Sequence, residues 1–118
     1  MLLVVSAAVA VTGGTAVALA DSTPVGPLPA GPLTTVDAPR GELVAVALPK
    51  RSGGRVWRIA RPFDTKVLRQ VSEADVGPSV VLVFRTGRAG TTTVSIALTK
   101  SDASAKALEA RRFRVRVR

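Results

Sequence analysis

The chain has 118 residues, with 17 Lys and Arg against 8 Asp and Glu, for a formal charge of +9. It contains no histidine, cysteine or tyrosine, which excludes a Ser-His-Asp triad, a thiol nucleophile, a His/Cys zinc centre and any disulfide. A chain of this length forms one small domain, held by the apolar core that a 47% hydrophobic content supplies. No enzyme, cofactor or metal site is expected.

Residues 2–20, LLVVSAAVAVTGGTAVALA, carry no charge and end in Ala18-Leu19-Ala20, a small-x-small signature of leader cleavage. The pattern predicts a signal peptide over 1–20 and a secreted or extracytoplasmic product. The first residues lack the usual Lys or Arg, and the apolar run is long enough to cross a bilayer. An uncleaved N-terminal anchor that tethers the protein to the membrane is therefore the alternative. No cysteine follows the run, so lipidation there is excluded. Residues 21–32, DSTPVGPLPAGP, hold four of the eight prolines. Proline at this density removes amide donors and favours extended, solvated backbone, so the segment reads as a linker.

From Leu33 to Arg118 the signal is β. Candidate strands are Leu33–Asp37, Leu43–Leu48, Arg55–Ile59, Lys66–Val71, Val80–Thr86, Thr91–Thr99 and Arg111–Val117, rich in Val, Ile, Leu and Thr and mostly separated by Gly, Pro, Asp or Ser. Val94, Ile96 and Leu98 share one strand face. Phe113, Val115 and Val117 share another, with Arg112, Arg114, Arg116 and Arg118 opposite. Gly87–Gly90 reads as a hairpin turn. The helix-like stretch Ser104–Ala110 is too short to stand alone. Seven short strands predict an all-β, immunoglobulin-like antiparallel sandwich over 33–118, with a small barrel as the alternative. Trp57 falls mid-strand, where a sandwich buries an indole between its sheets.

Three stretches carry a family resemblance. The first is Gly41-Glu42-Leu43-Val44-Ala45-Val46-Ala47-Leu48-Pro49, followed by a short loop ending in Gly54 and by Trp57 three residues later. The second is Ala89-Gly90 with Val94, Ile96 and Leu98, and the third is Arg112-Phe113-Arg114-Val115-Arg116-Val117. In this order and approximate spacing they resemble the chagasin-type inhibitors of papain-family cysteine proteases. The resemblance spans residues 35–118. It implies an immunoglobulin-like sandwich whose three loops at one end wedge into the protease cleft. Carried onto this sequence, those loops are Lys50, Arg51, Ser52, Gly53 and Gly54; Val76, Gly77, Pro78 and Ser79; and Lys100, Ser101 and Asp102.

The loop sequences depart from the family pattern. A typical first loop reads N-P-T-T-G before an aromatic, and here only Gly54 matches. The glycine-rich middle loop keeps one glycine, Gly77. The third loop lacks R-P-W or R-P-F; Arg61-Pro62-Phe63 spells that motif but stands two strands too early and is treated as a decoy. Ser52-Gly53-Gly54 also has a plain reading as a turn that needs positive φ.

A second function class rests on the stripe Arg112, Arg114, Arg116 and Arg118. Its guanidinium groups, on alternate residues of one strand, suit an anionic cell-envelope polymer, or simply form a solvated face that discourages edge pairing. Nucleic acid is not an expected partner, because the aromatics Trp57, Phe63, Phe84 and Phe113 sit mostly in core-like positions rather than on exposed stacking platforms. Glu73 and Asp75 are too few oxygen donors for a cation site. Lys50 beside Arg51 in a polar loop is not the desolvated lysine that a Ser-Lys nucleophile needs.

Overall fold

Alternation of apolar and polar side chains sets the strands. In the computed structural model, which describes residues 23–118, they are β1 (Leu33–Ala38), β2 (Leu43–Pro49), β3 (Val56–Ile59), β4 (Leu68–Val76), β5 (Ser79–Thr86), β6 (Gly90–Thr99) and β7 (Glu109–Val117). The expected leader over 1–20 lies outside the described residues. Strand β2 is apolar throughout, yet its burial alternates: Val44, Val46 and Leu48 are buried while Leu43, Ala45 and Ala47 are exposed, the period-2 signature of a half-buried strand.

The strands form two sheets, β1-β7-β6-β3 and β2-β5-β4. Every neighbouring pair is antiparallel except β1 and β7, which run parallel. The inward faces meet in one core built on Leu48, Trp57, Leu68, Phe84, Ile96 and Leu98. The architecture is the expected immunoglobulin-like sandwich and not the barrel, since no ladder joins the two sheets among the described residues. Trp57 is core, 7% exposed.

Two elements differ from the expectation. Strand β4 continues to Val76 because it pairs with β5 through to Val76 and Ser79, beyond a register shift between Gln70 and Ser72. That irregularity breaks the alternation on which a sequence reading depends. The stretch from Ser104 to Ala110 contains no helix: it is irregular up to Leu108, and β7 begins at Glu109.

Residues 23–32 have no regular secondary structure, yet they are hydrogen-bonded to the sandwich. Three backbone bonds fasten them. Pro32 accepts from the Arg112 amide at 2.9 Å, the Gly26 amide donates to Ala105 O at 2.7 Å, and the Thr23 amide donates to Asp102 O at 3.0 Å.

Candidate functional site

The sheet registers bring three connections to one end of the sandwich. Pro49 of β2 and Val76 of β4 both pair with Ser79 of β5; in the other sheet Val56 pairs with Thr99, and Leu98 with Glu109. The β2–β3, β4–β5 and β6–β7 loops therefore emerge together. They contain ten of the twelve residues singled out in the sequence, Lys50 to Gly54, Gly77 and Pro78, and Lys100 to Asp102, while Val76 and Ser79 are the strand ends that flank the middle turn. Arg61-Pro62-Phe63 follows β3 towards the opposite end, away from the three tips.

Each tip has a local cause. Gly53 and Gly54 have φ of 80° and 75°, a left-handed pair that side chains resist and that turns the chain sharply between β2 and β3. The β4–β5 connection is narrower than expected: Val76 and Ser79 belong to strands, leaving the two-residue turn Gly77-Pro78. Glycine at its first position with φ 58° fits a type II′ hairpin. Val76 stands 49% exposed beside it, an apolar side chain held out at the tip. The β6–β7 loop is the longest, running from Lys100 to Leu108.

Cross-links tie the tips to one another. The Lys50 amide donates to Pro78 O at 2.9 Å, fastening the first loop to the second. The Lys50 ammonium also lies 3.5 Å from Asp75. Arg51 donates through Nε and Nη2 to both carboxylate oxygens of Glu109, at 2.9 and 3.0 Å, joining the first loop to the base of the third. This fork holds the Glu109 carboxyl below its ordinary range and the Arg51 guanidinium above its own. Desolvation pushes the Glu73 carboxyl up, and the negative charges of Asp75 and Asp102 add to it. Beneath the tips, Trp57 Nε1 donates to Pro49 O at 2.8 Å, and the Arg111 guanidinium lies 5.4 Å from the indole ring.

The third loop is braced chiefly by Arg58, which the sequence reading did not single out. Its Nη1 donates to Ser104 O at 2.8 Å and reaches Ser101 O and Thr99 Oγ1 at 3.4 Å; its Nη2 donates to Thr23 O. The only sequence signal was a basic residue in a short, otherwise apolar strand.

The arginine stripe takes its expected face, opposite the inward Val115 and Val117. Arg116 donates to Asp37 at 2.8 Å, which lowers the Asp37 carboxyl and raises Arg116; Arg114 and Arg118 are exposed. An inter-sheet cavity of about 200 Å³, lined by Val36, Val46, Phe84 and Phe113 among others, contains no titratable side chain.

No family model matches the sequence, and no curated protein is significantly similar to it. Solved structures do match. The cysteine protease inhibitor EhICP2 from Entamoeba histolytica superposes with a TM-score of 0.53 at 16% identity, over 74% of this chain and 96% of the inhibitor. PbICP-C, solved in complex with falcipain-2, superposes with a TM-score of 0.57 at 11% identity, over 82% of this chain and 98% of its own. This is the chagasin-type fold. The resemblance read from strand motifs is thus matched at the level of architecture, by proteins with only 11% and 16% sequence identity to this chain.

Proposed function

We propose that this protein binds papain-like cysteine proteases and inhibits them by occluding the active-site cleft with its three loop tips. The observation that carries the reading is the joined set of tips at one end of a scaffold otherwise seen in cysteine protease inhibitors. Occlusion needs shape and rigidity rather than chemistry. Gly53 and Gly54 present backbone without side chains, so the first loop can approach the floor of a narrow groove. Val76 offers an apolar contact beside it. The Lys50–Pro78 and Arg51–Glu109 links fix the relative positions of the tips before binding, which reduces the ordering cost of association. The protease partner is supported by the complex of PbICP-C with falcipain-2.

Titration of papain and of a cathepsin-L-like protease tests the reading. Reversible inhibition that weakens on substitution at the tips supports it. The competing proposal, a non-inhibitory module that binds an anionic envelope polymer through Arg112, Arg114, Arg116 and Arg118, gives the opposite pattern: no inhibition, and retention on a polyanionic matrix that falls steeply as salt rises.

A further inference from the structure

Strand β6 has an outer face that ought to be wet. Val94, Ile96 and Leu98 point into the core, so Ser95, Ala97 and Thr99 point away from it, yet Ala97 and Thr99 are 0% exposed. Arg58 stands in register with Ala97 on the neighbouring strand, and its guanidinium reaches the third loop and Thr23. Arg61 extends the same arrangement, donating to Val25 O at 3.1 Å and Gly26 O at 2.8 Å. The proline-rich segment 23–32 accordingly lies along the third loop, with its amides at Thr23 and Gly26 bonded to Asp102 and Ala105. Four of its ten residues are prolines, which have no amide to donate. Gly31 makes the close passage possible, since a Cβ there would lie 1.9 Å from the Ala110 carbonyl oxygen.

We propose that residues 23–32 and Arg58 form a clamp that sets the position of the third loop, so that the segment resembling a linker is a working part of the inhibitory end. One guanidinium bridges carbonyls from two otherwise irregular segments, which a flexible connection would not supply. Arg58 is a positioning residue: it holds the loop through Ser104 and the strap through Thr23. Cutting or displacing the strap frees the loop, which makes the segment 23–32 a point where trimming the N-terminal side would weaken inhibition without unfolding the sandwich. The inhibitory consequence rests on the protease reading above; the consequence for the loop does not.

The test is native-state amide exchange on the full-length protein, comparing Gly26 and Ser104 with core amides of β5 and β6, in Arg58→Ala, Arg58→Lys and Gly31→Ala. Loss of the bridging hydrogen bonds is expected to speed exchange at Gly26 and Ser104 by about tenfold in Arg58→Ala, with core amides unchanged. Arg58→Lys, a single ammonium that cannot fork to both segments, is expected to restore only part of the protection. Gly31→Ala, which lifts the strap, is expected to accelerate Ser104 although residue 31 does not bond to that loop. Unchanged Ser104 exchange in Arg58→Ala and Gly31→Ala overturns the clamp. So does a parallel rise of loop and core amides in all three variants, which would make these residues general supports of the fold. With papain as probe, inhibition by Arg58→Ala is expected to weaken about tenfold, and undiminished inhibition despite fast Ser104 exchange overturns its functional half. A wild-type protein that shows the exchange pattern but does not inhibit papain leaves the clamp standing and removes the protease reading.

Discussion

Replacing Trp57 tests the core and the base of the site together. An indole buries about 200 Å² on folding, which at about 25 cal/mol per Å² is worth about 5 kcal/mol. Here 7% remains exposed, and Nε1 gives up a 2.8 Å bond to Pro49 O when the ring is removed, about 1 kcal/mol more. Partial collapse of the cavity returns some of this, so Trp57→Ala should lose about 4–5 kcal/mol. Trp57→Phe keeps a ring but not the donor and should lose about 1–2 kcal/mol. Trp57 is the sole tryptophan, so urea unfolding must be followed by far-UV circular dichroism rather than by its fluorescence. A loss below about 1 kcal/mol for Trp57→Ala would show that the indole does not fill the inter-sheet space.

Gly53→Asp has room for its Cβ, with nothing within 4 Å, but must hold φ near 80°; it should lose about 1 kcal/mol of stability, checked by urea unfolding, and weaken papain inhibition far more than that cost explains. Glu109 is held below its ordinary value of 4.5 by Arg51, so its contribution is present above that pH and fades as pH falls through the lower folded value. The gap in thermal midpoint between wild type and Glu109→Gln should therefore be widest at neutral pH and close in acid; a gap that is constant with pH contradicts the ion pair. Protein recovered from producing cells should begin at Asp21 on N-terminal sequencing, whereas recovery of an intact Met1 start in the membrane fraction would favour the anchor.

Much of the fold was legible because β2, β6 and β7 place bulky apolar residues at alternate positions, and these residues, Val44, Val46 and Leu48, Val94, Ile96 and Leu98, and Val115 and Val117, lie in the core. The second half of β4 was not. Its residues Glu73 and Asp75 are charged and follow the shift at Gln70 and Ser72, so the strand is held by cross-strand pairing rather than by an apolar face. Ser104–Ala110 carries Ala, Lys, Leu and Glu, all compatible with a helix, but bonds such as Leu108 N to Leu98 O at 2.7 Å hold it in an irregular path into β7. The three loops were placed by family spacing, and the sheet registers put them at one end. Arg58 was invisible because its partners at Thr23 and Ser104 lie 35 and 46 residues away. Nothing in a local pattern encodes that meeting.

The most direct test of the central claim is the inhibition constant for papain of the wild-type protein, measured beside Gly53→Asp at the tip and Arg114→Glu on the exposed stripe. Occlusion by the loops predicts reversible inhibition that Gly53→Asp weakens by at least about tenfold and that Arg114→Glu leaves unchanged. Full papain activity in the presence of a large molar excess of correctly folded wild-type protein, or inhibition lost on Arg114→Glu and retained by Gly53→Asp, would contradict it.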